Sequence, residues 1–337
     1  MTKPNPDRVT LKMVARAADV SMTQTSMALN GKPGVATETR ARVLAVAREL
    51  GYVPDPIAQE LRTGRSAVLA LVVRNVVNPY FNDVLSGMQA AALEHGVAVM
   101  MMDSDYSEDH ERRHIRYLLS RRVSGLAIAP VGVAAAVEEW RSAQPDAPVV
   151  LLNSSVQPKG GMDHVAPDPR AVDLAFDHLW QLGHRRIGFL SAPRSLMSDR
   201  DRLDRYQARC RKYGVPALTL HTELREAAIT SRLLDALADP IDRPSAVITN
   251  SDWSAHYVYR AARASGLEIG RDLSVVGHDD LTSSELLAPA LTTLRLDRRA
   301  IGAEVVHHLR GVRAGDHLAP VELVVRDSSG PPQPALA

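Results

Sequence analysis

The strongest constraint on this chain is a beat of short apolar runs beginning at Ala67. Runs at 67–73, 97–102, 125–128, 149–152, 186–190, 246–249 and 273–277 alternate with longer amphipathic stretches, the first near 80–95. Runs this uniformly apolar are buried on both faces, which means strands of parallel sheets covered by helices. Spread over some 260 residues, they predict an α/β fold of two doubly wound lobes. Ligands of such sheets sit beyond the carboxyl ends of the strands. Polar residues fall there: Asn153 after one run, Asn250, Ser251 and Asp252 after another, and Asp279 with Asp280 after His278.

The 337 residues, 45% of them apolar, can bury a core for two or three domains. No run of eighteen apolar residues occurs, and the first residues lack the apolar core of a signal peptide. A cytoplasmic protein without membrane partners is expected. Cys210 is the sole cysteine, which excludes an internal disulfide framework or a thiolate metal cluster within one chain.

Net charge is unevenly shared. Residues 1–66 hold ten Lys/Arg against six Asp/Glu, or +4, and the remainder holds 30 against 33, or −3. A small cationic N-terminal unit is suited to a polyanion.

That unit reads as three helices. Thr10 caps a helix with apolar residues at 11, 14, 15 and 18. Ser21 opens a second, with Gln24 three residues on as its capping-box partner. Only a short step separates the two, the connection of a helix-turn-helix. A third runs from a Thr37 cap through Val43, Val46, Ala47 and Leu50 to Gly51. Beyond it, Asp55 and Pro56 start a short helix that needs something else to order it, followed by a flexible joint at 63–66.

The segments Val9-Thr10-Leu11-Lys12-x-Val14-Ala15, Val20-Ser21, Ala28-Leu29-Asn30-Gly31 and Glu49-Leu50-Gly51-Tyr52-x-Pro54 resemble the start of the lactose-repressor/purine-repressor family of transcription factors. The resemblance implies a helix-turn-helix headpiece at 1–51, a hinge at 52–66 and an effector-binding and dimerisation domain at 67–330. The helix opened by Ser21 would lie in the major groove, with Thr10, Ser21, Met22, Thr23, Gln24, Met27 and Asn30 at the duplex. Gln24 would read adenine, and the methionines would touch thymine methyl groups. Two positions depart from the family: Met27 stands where an arginine is usual, and Met13 where an acid is usual. In the hinge, Leu61 would wedge into the minor groove at a central step, flanked by Arg62 and Arg65, with Glu60 opposing the phosphates.

The runs at 275–280 and 289–293 are similar to the periplasmic-binding-protein-like domain of the same repressors. They imply one lobe at about 67–166 with 296–322 and another at about 167–295 with 323–330, leaving a disordered tail at 331–337. Asp279 and Arg202 would clamp the hydroxyl or carbonyl groups of an effector in the cleft. Ser251 and Asn153 would add hydrogen bonds, and Tyr80 or Phe81 a flat ring, a mixture suited to a sugar. Ser251, His278 and Arg205 depart from the residues usual at their positions. The implied protein is a homodimeric repressor of a palindromic operator, without catalytic residues or cofactor, in which effector binding shifts the lobes and the paired hinges.

Two other functions match parts of the sequence. His110-Glu111-x-x-His114 matches a zinc-protease pattern, with Glu138 or Glu139 as a third ligand, yet it lies on a charged helix whose apolar residues 115, 118 and 119 face the core. No phosphate loop, dinucleotide fingerprint or nucleophile elbow occurs. A small-molecule-binding protein that has abandoned DNA is the second alternative.

Overall fold

The computed structural model describes residues 9–29, 31–52, 66–132, 135–154, 162–193 and 200–333. The chain divides into two compact units, Met1–Ser66 and Ala67–Ala337.

In the first unit, α1 (Leu11–Ala17), α2 (Met22–Leu29) and α3 (Thr37–Glu49) enclose Val14, Ala18, Ala28, Val43 and Ala47. The Thr10 hydroxyl accepts the Met13 N–H at 3.4 Å. Ser21 and Gln24 form the reciprocal box: Ser21 Oγ accepts the Gln24 N–H at 3.1 Å, and Gln24 Oε1 accepts the Ser21 N–H at 3.3 Å. Thr37 is not the cap of the third helix. Ala36 occupies that position without a side-chain bond, and Thr37 is the first helical residue. Gly51 ends the helix at φ +65°, a conformation that costs glycine nothing.

The second unit carries the expected parallel sheets. One has six strands in the order β11-β5-β4-β3-β1-β2, formed by β1 (Val68–Val73), β2 (Ala98–Asp103), β3 (Gly125–Ile128), β4 (Val149–Leu152), β5 (Asp163–Pro167) and β11 (His317–Ala319). The other, ordered β7-β6-β8-β9, has β6 (Ile187–Ser191), β7 (Leu218–His221), β8 (Ala246–Ile248) and β9 (Ser274–Val276). All pairings within both sheets are parallel. Antiparallel β10 (Thr293–Arg295) and β12 (Glu322–Val324) carry the chain between lobes.

Helices cover both sheets. In lobe 1, α4 (Pro79–Glu94), α5 (Glu108–Ser120), α6 (Ala135–Ala143) and α12 (Arg298–Leu309) pack around β1, whose Leu69, Leu71 and Val73 are fully buried. Each such side chain contributes about 1.5–3 kcal/mol. In lobe 2, the covering helices are α7 (Ala171–Gln181), α8 (Arg200–Tyr213), α9 (Glu226–Leu237), α10 (Asp252–Ala264) and the short α11 (Thr282–Leu286).

Two glycines set the closest helix approach. A Cβ at Gly87 of α4 would lie 2.0 Å from the Arg299 carbonyl oxygen, and one at Gly302 of α12 would lie 2.1 Å from that of Val84. Only glycine lets these backbones touch. Of the final residues, Pro332 lies against Gly183; residues 334–337 are outside the described set. No described helix is long and apolar enough to cross a membrane.

Candidate functional site

The cavity between the two lobes is built from strand ends. Arg74 follows β1, Asn153 follows β4, Asn250 and Ser251 follow β8, and Asp279 follows β9. Tyr80 and Phe81 enter from the first turn of α4, which Asn78 caps by accepting the Tyr80 N–H at 3.0 Å. The lining also includes Asn78, Tyr106, Arg202, Leu224, Trp253 and Ser254, around about 430 Å³ of empty space that is partly open to solvent. All six residues assigned to an effector from the sequence, Tyr80, Phe81, Asn153, Arg202, Ser251 and Asp279, therefore meet on one cavity.

Their states differ. Arg202 is buried rather than one of a row of solvated charges, and its Nη1 donates to the Asn250 carbonyl at 2.9 Å. The neighbouring Arg205 turns away to Asp173. Asp279 is no helix cap: its N–H donates to the Leu294 carbonyl at 2.9 Å, and its Oδ1 pairs with His278 Nδ1 at 3.0 Å. Ser251 is partly committed, since its hydroxyl caps α10 by accepting the Ser254 N–H at 3.2 Å. Tyr80 and Phe81 meet edge to face at 5.1 Å. The Tyr80 hydroxyl is buried without a hydrogen-bond partner. Burial, with the charge of Asp279 beside it, pushes this phenol above its ordinary pKa, so it stays protonated as a donor.

Backbone conformation marks the same place. Asn153 has φ +47°, Asp279 φ +126° and Asp280 φ +53°. Non-glycine residues hold such angles only where their surroundings fix them, and they gather at ligand sites. The fixing groups are visible. Arg74 donates to the Asn153 carbonyl from both Nη1 and Nη2, at 3.2 and 3.1 Å. Asp280 is bonded by Arg295 at 2.5 Å and Arg326 at 2.7 Å. Although burial raises the pKa of Asp280, these two bonds hold its carboxyl below the usual range.

Arg74 and Trp253 were missed by sequence reasoning. Arg74 sits directly after the first apolar run, the strand-end position that selected the other polar residues. Trp253 follows Ser251 by two residues, on the first turn of the helix that Ser251 caps. Asp252, between them, serves the frame. Its buried carboxylate accepts the Leu281 N–H at 2.9 Å and the hydroxyls of Ser284 and Thr293 at 2.6 and 2.5 Å.

In the headpiece, Met22, Thr23 and Gln24 are exposed on α2, with Met22 at 52%, beside the exposed Thr10 and Ser21. Met27 is half-buried, its Cε 3.0 Å from where a Cβ of Gly34 would stand. Met22 thus projects outward rather than packing inside the bundle. The capping box occupies the amide oxygen of Gln24, so a two-point contact to adenine, which needs both ends of the amide, requires the box to open. Asn30 and Leu61, like the whole of 53–65, lie outside the described residues.

The protease-like pattern is dispersed by its own packing. His110 is exposed. Glu111 is buried and accepts the Val131 N–H at 2.8 Å, while burial pushes its carboxyl up to about 7. The ring of His114 bonds the Asp103 carbonyl at 2.8 Å, and Glu139 is engaged by Arg112 and Arg116. Among the described residues no group of three suitable side chains could hold a metal ion.

Comparison with known proteins agrees with both units. Residues 10–55 match the family described as bacterial regulatory proteins, lacI family, and residues 176–329 match the periplasmic binding protein-like domain. The HTH-type transcriptional repressor CytR of Escherichia coli (strain K12) is 28% identical over 341 residues, covering 97% of this chain and 98% of that protein. The crystal structure of the lac repressor dimer bound to operator and the anti-inducer ONPF superposes with a TM-score of 0.80 at 26% identity, covering 96% of this chain and 99% of that one. A complex of the transcriptional regulator CelR with cellobiose gives 0.69 at 25% identity, covering 96% and 100%. Residues 10–55 thus form a lacI-family headpiece and residues 176–329 a periplasmic binding protein-like domain, and relatives named as transcriptional repressors align along nearly the whole chain.

Proposed function

We propose that this protein is a homodimeric transcriptional repressor of the cytoplasm, a binding protein without catalytic activity, released from or held on a palindromic operator by a sugar-like effector. The observation that carries the effector reading is the convergence of Asp279, Arg74 and Arg202 with the rings of Tyr80, Phe81 and Trp253 on one cavity. Charged forks take hydroxyl or carbonyl groups, while rings pack on the apolar face of a sugar. Asp279 and Arg202 form the clamp, Asn153 and Ser251 supply further hydrogen bonds, and Tyr80 donates its hydroxyl. The similarity to the cellobiose complex of CelR supports the ligand class.

The operator complex of the lac repressor supports the DNA reading. Met22, Thr23 and Gln24 carry the base contacts, with Thr10, Ser21, Met27 and Asn30 beside them and Leu61 as the minor-groove wedge. The domain boundaries follow: headpiece 1–51, hinge 52–66, effector domain 67–330. One small headpiece makes too few contacts for high affinity, so two act together.

The test is a pair of titrations on an operator selected from genomic fragments. Phosphate contacts make affinity fall by roughly 10³-fold between 50 and 200 mM salt. A panel of sugars is then screened for changes in operator affinity in the wild type and in Asp279→Asn. The variant is expected to bind operator normally and ignore the sugar that moves the wild type. A full response in the variant would reject the site. Absence of salt-sensitive retention on any duplex would leave only a small-molecule-binding protein.

A further inference from the structure

One arginine touches both lobes beside this cavity. Arg298 begins α12, whose buried face belongs to the core of lobe 1. Its Nε donates to Asp83 Oδ2 of α4 at 2.7 Å. Its Nη1 reaches across to lobe 2, where it donates to the backbone carbonyls of Asp279 and, at 3.0 Å, Asp280. The guanidinium is largely shielded, its side chain 15% exposed.

We propose that Arg298 is a positioning residue that ties the left-handed turn at Asp279 and Asp280 to the helix bearing Tyr80 and Phe81, so that the two walls of the cavity open and close together. Three considerations carry it. The turn is held at two successive positive φ angles, and Arg298 bonds both of its carbonyls. Asp83 stands three residues beyond Tyr80 on the same helix, so a shift of the Tyr80 wall moves the anchor of Arg298. The planar fork is needed because one group must satisfy a carboxylate on one side and two carbonyls on the other. An ammonium, a single compact point charge, cannot hold both sets in this geometry.

The regulatory meaning rests on the effector reading above, but the coupling does not, and the test needs no ligand. Amide hydrogen exchange is followed in the full-length protein for residues 279–281, where the Asp279 and Leu281 N–H groups are bonded to the Leu294 carbonyl and the Asp252 carboxylate. Asp83→Ala lies in lobe 1, and alanine favours the helix, so α4 itself is not loosened. Exchange at 279–281 is nevertheless expected to run roughly fivefold to thirtyfold faster, the range set by a loss of local stability of this order. Arg298→Lys and Arg298→Met should both show the same acceleration. The double variant Asp83→Ala/Arg298→Met should exchange no faster than Arg298→Met alone. Wild-type exchange at 279–281 in Asp83→Ala, rescue by lysine, or additive effects in the double variant would overturn the proposal. If the Arg298 variants fail to fold, Asp83→Ala decides alone.

Discussion

Tyr80 lines the cavity, and its hydroxyl is buried without a hydrogen-bond partner. A buried hydroxyl left unbonded lowers stability, so Tyr80→Phe should melt at the same temperature as the wild type or higher. If the hydroxyl donates to the effector, the same change should weaken effector binding about twofold to tenfold, the value of one neutral hydrogen bond. Calorimetric melting and a binding titration on one preparation separate the two effects; a lowered melting temperature with unchanged affinity would contradict the assignment. His184 illustrates a different residue-scale device. Its ring bonds Ser245 Oγ at 2.8 Å and the Gly330 carbonyl at 2.8 Å, and burial lowers its pKa below the ordinary 6.5. Below pH 6.5 the unfolded chain takes up a proton that the folded chain refuses. The stability from this site is therefore complete above 6.5 and declines as pH falls toward the folded value. The melting-temperature gap between wild type and His184→Gln should be wider at pH 7.5 than at pH 5.5. A gap that grows on acidification would reverse the sign. Of these residues Tyr80 was marked, by the family resemblance that offered Tyr80 or Phe81 as a flat ring. Nothing in the sequence marked His184, because Ser245, Ser274 and the Gly330 carbonyl, which enclose that ring, come from distant parts of the chain.

At the scale of elements, the pair α4 and α12 decides how lobe 1 is closed. Their backbones touch at Gly87 and Gly302, where a single methyl group would overlap a carbonyl oxygen. Gly302→Ala should destabilise the protein by about 1–3 kcal/mol despite alanine's better helix propensity, because the helices must move apart to admit it. A lowered urea midpoint with an unchanged slope is the expected result, and a raised midpoint would refute the close contact. Strands were legible where their apolar run is unbroken. β1, β3, β4, β6 and β8, flanked on both sides by strand, appear in the sequence as plain apolar runs, and so do the edge strands β2 and β9, whereas the interior β5 does not. The edge strands β7 and β11 and the three-residue crossing strands β10 and β12 did not stand out as strands. Each of these strands mixes polar residues into a short run, as in Leu218-Thr219-Leu220-His221 and Thr293-Leu294-Arg295, so no apolar pattern marks it. The Thr37 cap was misplaced by one residue, as Ala36 takes the extended conformation before α3 without offering a side-chain acceptor.

At the scale of the molecule, strand ends from two sheets bring together residues that are far apart in sequence. The rule that ligands lie beyond the carboxyl ends of parallel strands found Asn153, Ser251 and Asp279, and family resemblance added Arg202 and the two rings. Arg74 satisfied the same rule and was overlooked because a lone arginine at the end of a run reads as a surface charge. The interlobe tie through Arg298 was invisible, since its bond to Asp83 spans 215 residues. That separation also bears on how the protein comes into being. The strands β6 to β9 of lobe 2 arise from one continuous stretch, whereas lobe 1 needs α12 and β11 to return from the far end of the chain. On a ribosome, lobe 1 waits with the face of α4 uncovered until α12 and β11 emerge, and lobe 2 then receives its last strip, in which Ser328 and Gly330 bond Val275 and Ser274. A chain cut short before residue 298 would lack the helix that seals its own beginning.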